Sequence, residues 1–357
     1  MTFQVGRRTV GAGAPCFIVA ELSGNHNGDL GRAVATIEAA ADAGAHAIKL
    51  QTYTPDTMTI QSNRPEFIVP GNGPWGGRRL WDLYQEAHTP WSWHPRLFDT
   101  ARRAGLEIFS TPFDATAVSL LESLDAPAYK IASFELGDDA LLQRVAATEK
   151  PIILSTGMAN VEEIGHAVAI LQAAGVIDLV VLRCTSSYPA PDAAMHLATL
   201  PVLASMTGCP VGLSDHSTGI VAPVVAVTLG AVMIEKHFTL DRTAGGVDSH
   251  FSVEPAELKQ LVEAVAAAEA MVGKPTFGPG VAEEGSVVFR RSLYVVEDIG
   301  AGEPFTERNI RSIRPGHGLS PRYASIVLGR RAAVTVRQGT PLSWDVMAPK
   351  VPREAGQ

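Results

Sequence analysis

From residue 17 to about residue 272, short apolar runs alternate with longer Ala- and Leu-rich stretches. The runs are FIVAE (17–21), HAIKLQ (46–51), LEIFST (106–111), AYKIAS (128–133), PIILST (151–156), LVVLRCT (179–185), PVGLSDH (210–216) and AVMIEKH (231–237). Each has the length of a strand. Intervening segments such as LGRAVATIEAAADAGA (30–45), VEEIGHAVAILQAAG (161–175) and STGIVAPVVAVTLG (217–230) carry helical spacing. Evenly distributed units with no Gly-x-Gly-x-x-Gly turn after the first run predict a closed (β/α)8 TIM barrel over residues 1–272, not an open α/β sheet.

Two stretches break the rhythm. Residues 52–91 form an excursion far beyond ordinary loop length, and it holds Trp75, Trp81 and Trp91, with Trp93 just beyond. So many tryptophans argue against disorder and predict a partly ordered wall over the barrel mouth. Alternatively, the segment is a satellite hydrophobic cluster without ligand contact. After the last barrel helix, GKPTFGPGVAEEG opens a Gly/Pro/Glu linker (273–288). Residues 289–350 then change to short β-like runs, SLYVVEDI and AAVTV, broken by turn sequences: a small C-terminal β-rich domain with little core of its own.

Composition narrows the classes. The 357 residues are 46% hydrophobic, enough for a large domain and a small one. A net charge of −8 argues against nucleic-acid or anionic-membrane partners. Three scattered cysteines, Cys16, Cys184 and Cys209, form neither a CxxC pair nor a disulfide framework, which suits a reducing compartment. With no signal-like N-terminus and no apolar stretch long enough to span a bilayer, the expectation is a cytoplasmic protein.

The chemistry gathers at the strand ends. His216 and His237 lie 21 residues apart, and each closes an apolar run, so they fall on adjacent strands at the C-terminal rim. They are either two ligands of a divalent metal or two separately hydrogen-bonded rim residues; Ser214, Asp215, Glu235 and Lys236 beside them favour a site. At or near the other run ends stand Glu21, Lys49, Thr111, Lys130 with Ser133 and Glu135, Ser155, and Ser186 with Tyr188. Lysines and hydroxyls converging on a barrel mouth suit a phosphate-bearing ligand. No Gly-x-Ser-x-Gly elbow, catalytic-cysteine motif or HExxH occurs, so acyl transfer and zinc proteolysis lack support.

AELSGNHNGD (20–29), KLQTY (49–53), FSTPFD (109–114), YKIAS-x-E (129–135), STGM (155–158), CTSSYP (184–189), GLSDH (212–216) and EKHFT (235–239) resemble the sialic acid synthase family. FRRSLY (289–294), IRPGHG (313–318) and QGTPLSW (338–344) resemble the antifreeze-like (SAF) domain of those enzymes. The resemblance covers nearly the whole chain, in family order. It implies condensation of phosphoenolpyruvate with an amino sugar that has a free aldehyde form, giving a nine-carbon 2-keto acid and phosphate. It further implies His216 and His237 as ligands of Mn2+ or Mg2+, and Lys49, Lys130, Thr111, Ser133, Ser155 and Ser214 as a phosphoenolpyruvate clamp. Glu21, Glu135, Tyr188 and Asp248 resemble residues that contact the sugar or handle protons, with Glu135 preferred for assisting water. Arg314 matches an arginine that reaches the partner subunit's barrel, which implies a domain-swapped homodimer.

Within the family, LYQEAHTPWSWH (83–94), STPFDATAV (110–118), Ser186 in CTSSYP and GGVDS (245–249) resemble the pseudaminate branch. The implied acceptor is 2,4-diacetamido-2,4,6-trideoxy-L-altrose; N-acetylneuraminate and legionaminate synthesis are the alternatives. A 3-deoxy-octulosonate 8-phosphate synthase would lack residues 289–345. A non-enzymatic carbohydrate- or ice-binding protein would have no use for the lysine, hydroxyl and histidine set.

Overall fold

The computed structural model describes residues 2–71 and 73–349. It divides into two compact units, with the boundary after Gly273.

The first unit opens with an antiparallel hairpin of β1 (Thr2–Val5) and β2 (Arg8–Gly11). Eight parallel strands follow: β3 (Phe17–Glu21), β4 (Ala47–Thr52), β5 (Glu107–Pro112), β6 (Tyr129–Ile131), β7 (Ile152–Ser155), β8 (Leu179–Cys184), β9 (Val211–Asp215) and β10 (Met233–His237). β10 pairs with both β9 and β3, closing the barrel. Helices pack outside, and several start on side-chain caps: Asp29 on Arg32 N, Asp114 on Ala117 N, Asp138 on Leu141 N and Asn160 on Glu163 N.

Strand parity separates the two cores. Ile18, Ile48, Ile108, Tyr129, Ile152, Val181, Leu213 and Ile234 pack with the helices. Phe17, Val19, Ala47, Phe109, Ala128, Ile153, Val180, Leu182 and Met233 fill the barrel interior together with Phe3, Val5 and Val10 of the hairpin. The hairpin is therefore a bottom plug. Glu107 fastens it, accepting from Arg7 N and Arg7 Nε at 3.1 Å each. A Cβ on Gly6, at φ 59°, would stand 1.9 Å from Glu107 Oε2, so this turn requires glycine.

The segment read as one helix over 217–230 is helical only over Val221–Thr228. Its first residues are held elsewhere: Ser217 N donates to Asp215 Oδ1 at 2.8 Å, Lys236 Nζ donates to Ser217 O at 2.6 Å, and Gly219 turns at φ 76°. The long excursion contains helices Pro55–Met58 and Leu80–Ala87 and a hairpin-like loop closed by an Ile68–Arg79 bridge.

The second unit begins within the expected linker, where Val281–Phe289 forms 3-10 turns. β11 (Ser292–Val295) pairs antiparallel with β12 (Ile310–Ile313). AAVTV contributes isolated bridges, Ala332–Met347 and Val336–Ile299, instead of a regular strand. Contrary to the expectation of a poor core, Leu293, Val295, Ile299, Phe305, Ile310, Val327, Ala332, Val336, Leu342 and Met347 form one. Among the described residues, no helix is long and apolar enough to cross a membrane.

Candidate active site

Inward-facing residues change character along the strands, mostly apolar near the plug, where Glu107 is the exception, and polar toward the C-terminal rim. β10 shows the change within five residues: Met233 lies in the interior core, whereas Glu235 and His237 line a pocket. That pocket also collects Lys49, Gln51, Thr111, Phe113, Lys130, Ser133, Phe134, Ser155, Cys184, Tyr188, Ser214 and His216. Burial of the polar members signals a built site, because each desolvated charge must be compensated.

Glu235 is the electrostatic centre. Its Oε1 lies 3.7 Å from Lys49 Nζ and 3.9 Å from Lys130 Nζ, and accepts from Ser214 Oγ at 3.1 Å. Burial pushes the Glu235 carboxyl up, but the two ammonium groups more than offset this and hold it below its usual value. Lys49 also pairs with Glu21 Oε2 at 2.7 Å and donates to Thr111 Oγ1 at 3.2 Å. For Lys49 the carboxylates win over burial and raise its pKa; for Lys130 burial wins and lowers it. Burial raises Glu21 to about 7 despite Lys49.

Hydroxyl donors face the lysines. Ser155 Oγ is buried without a protein partner. Ser133 Oγ accepts from Gly157 N at 2.9 Å, which leaves its proton free to be donated. A Cβ on Gly157 would stand 2.1 Å from Ser186 Oγ and 2.7 Å from Ser133 Oγ, so glycine permits this approach. Ser186 Oγ lies 3.8 Å from Cys184 Sγ, and Ser186 is not among the residues that line the pocket.

His216 and His237 have ring centroids 5.3 Å apart. His216 Nδ1 lies 3.0 Å from Thr185 O; donation there leaves Nε2 as an electron-pair donor. His237 Nδ1 is buried without a hydrogen-bond partner, and Asp248 Oδ2 stands 3.7 Å away. Burial, reinforced by His216 and the lysines, lowers His237 well below its usual pKa, so the ring stays neutral. Burial lowers the His216 pKa, but the Cys184 thiol and Thr185 O outweigh it and raise it, so His216 offers its nitrogen once the ring proton is displaced. The two imidazoles on adjacent strands fit a divalent cation that takes its other ligands from water or substrate. Among the described residues, no cluster of three or more His, Cys, Asp or Glu is arranged to hold a metal alone.

Tyr188 covers the histidines, 4.3 Å from the His216 ring and 5.3 Å from Phe251. Behind it stands Trp75, 5.6 Å from Tyr188, whose Nε1 donates to Val247 O at 2.9 Å. Of the excursion's tryptophans, Trp75 contributes to the wall. Trp81 and Trp91 instead donate to Asp56 and Tyr53 O, and Trp93 packs against His26. Glu135 sits beside the pocket residues Ser133 and Phe134, with Oε2 buried and unpartnered; burial raises its pKa to about 7. Arg314 lies in the second unit, exposed, directly after β12.

Among the lining residues, Gln51, Phe113, Ala132, Phe134 and Cys184 were not singled out from the sequence, and Glu235 only as a neighbour of His237. Period-two alternation from His237 and from Lys49 points to Glu235 and Gln51 as inward-facing, whereas Cys184 reads as an apolar strand residue.

Two sequence-family models match the chain, the NeuB family over residues 36–276 and the SAF domain over residues 290–346. The chain belongs to the NeuB family. It is 44% identical over 326 residues to the pseudaminic acid synthase of Campylobacter jejuni, covering 91% of this chain and 95% of that protein. With the pseudaminic acid synthase of Helicobacter pylori it shares 43% over 333 residues, 93% and 97% of the two chains. Among solved structures, the N-acetylneuraminic acid synthetase of Leptospira borgpetersenii, in complex with citrate, aligns with a TM-score of 0.72 and 32% identity, covering 80% of this chain and 95% of that one. The NeuB match thus spans the barrel segments that build the pocket from β4 to β10.

Proposed function

We propose that this NeuB-family chain condenses phosphoenolpyruvate with 2,4-diacetamido-2,4,6-trideoxy-L-altrose and water, releasing pseudaminic acid and phosphate. The observation that carries this reading is the facing of two buried lysines and a set of hydroxyls by two histidines and an aromatic wall in one pocket. The two relatives at 43–44% identity named as pseudaminic acid synthases support the choice of acceptor.

The residues divide the work by chemistry. Lys49, Lys130, Thr111, Ser133, Ser155 and Ser214 bind the anionic oxygens of phosphoenolpyruvate, and Glu235 keeps the two ammonium groups charged and fixed. The substrate's methylene carbon attacks the sugar aldehyde; positive charge develops at its C2, water adds there, and phosphate leaves with C–O cleavage. His216 and His237 would hold Mn2+ or Mg2+, which when bound supplies Lewis acidity toward the aldehyde oxygen. Glu135, with its pKa near 7, is suited to accept a proton from the attacking water. Tyr188 and Trp75 exclude solvent from the histidine side.

A homodimer in which Arg314 serves the partner's barrel completes the reading. Charge supports a docking of this kind: residues 1–273 carry 17 Lys/Arg against 29 Asp/Glu, net −12, and residues 274–357 carry 12 against 8, net +4.

The test is phosphate release from phosphoenolpyruvate with the diacetamido sugar, product mass being read in parallel. Release that requires both substrates and yields a nine-carbon 2-keto acid is expected. Phosphate release without sugar, or no release with it, contradicts the reading.

A further inference from the structure

Beyond the strand end of β3, Ser23 is 2% exposed and adopts φ 47°. Glycine accepts this left-handed conformation freely, and Asn or Asp tolerates it; serine there carries a steric cost. Asn27, four residues on, shows the tolerated case at φ 51°. A buried serine in such a place needs a reason in its side chain.

The hydroxyl has two partners. Gln51 Nε2 donates to Ser23 Oγ at 3.1 Å and to Glu21 Oε1 at 3.0 Å. With its lone pair engaged, Ser23 Oγ gives its proton to Asp248 Oδ2. Among the described residues this is the hydrogen bond made by the Asp248 carboxylate, and the same Oδ2 lies 3.7 Å from His237 Nδ1. The backbone around Asp248 is secured separately, by Trp75 Nε1 on Val247 O at 2.9 Å and by Ser252 Oγ on Asp248 O at 2.7 Å. What remains free without Ser23 is rotation of the carboxylate.

We infer that Ser23 is a positioning residue that fixes the Asp248 carboxylate beside His237, and that its hydroxyl is retained at the cost of backbone strain. Gln51 sets the direction of the chain, so that the Ser23 proton points to Asp248 and not back toward Glu21. Loss of a group that orients a metal-ligating imidazole typically costs about 10–100-fold in metal affinity or activity. This inference rests on the pocket being the synthase site.

Ser23→Gly tests it, because glycine removes the hydroxyl and relieves the strain together. The expected result is a fall of about 10–100-fold in kcat, with the KM for phosphoenolpyruvate within about two-fold and the melting temperature unchanged or higher. In an Asp248→Asn background, Ser23→Gly should cause little further loss, since it acts through that carboxylate. Wild-type kcat in Ser23→Gly, or full additivity of the two substitutions, overturns the inference. A crystal structure of Ser23→Gly decides independently of turnover: the Asp248 carboxylate is expected to rotate away from His237, and an unmoved carboxylate refutes the role. Inactivity of the wild-type protein on the diacetamido sugar would count against the proposed reaction instead, and leaves the structural readout to judge Ser23.

Discussion

Glu235 and Lys236 are neighbours in the chain and serve different ends because alternate strand residues face opposite sides. Lys236 points outward into the helix layer, pairing with Asp215 Oδ2 at 2.6 Å, both side chains almost fully buried. Lys236→Met should leave Asp215 an unpaired buried charge, cost about 3–5 kcal/mol in denaturant unfolding and spare the KM for phosphoenolpyruvate. Glu235→Gln should do the converse, raising that KM with a smaller change in stability. Glu135 gives the pH signature. As a base it must be ionised, so kcat/KM should rise with pH through about 7, and Glu135→Gln should abolish that limb and lower kcat by about 100-fold or more. The stability sign is opposite: a carboxyl raised from 4.5 to about 7 favours the fold below pH 4.5 and loses that contribution as pH rises to about 7. Most of these residues were legible because each stands at a recognisable run end; Ser23 was not, since its role depends on a backbone angle and on contacts 28 and 225 residues away.

The elements divide between holding the barrel and shaping its mouth. The β1–β2 hairpin does the first: Phe3 is 6% exposed and packs among Phe17, Val19 and Met233. Phe3→Ala should cost about 3–5 kcal/mol, measured by denaturant unfolding, with KM values unaltered. Its alternation of Phe3, Val5 and Val10 was present in the sequence, but four-residue strands joined through Gly6 and Arg7 are too short to separate from a polar N-terminal loop. The excursion does the second through Trp75. Trp75→Ala should raise the KM for the sugar by roughly ten-fold while the KM for phosphoenolpyruvate changes little, because the lysine clamp lies elsewhere in the pocket. Equal effects on both substrates would make Trp75 a scaffold residue. That a wall existed could be read from the tryptophan content; which tryptophan forms it could not, because the other three donate or pack within the scaffold.

At the scale of the whole molecule, the barrel was legible from eight spaced runs, whereas the core of the second unit was not, being assembled from bridges between residues as distant as Ile299 and Val336. The proposed dimer makes a test available that single substitutions lack. Arg314→Ala and His216→Ala chains should each be inactive alone, and subunit exchange should restore activity, because one mixed barrel has its histidines and receives an intact arginine. Confirmed exchange without recovery would make Arg314 either a residue acting within its own chain or a structural residue of the small domain. Competition between acceptors bears on the proposed reaction itself. With phosphoenolpyruvate saturating and equal amounts of 2,4-diacetamido-2,4,6-trideoxy-L-altrose and N-acetylmannosamine, nearly all phosphate released is expected to be matched by pseudaminic acid. Equal or greater formation of N-acetylneuraminic acid would contradict it.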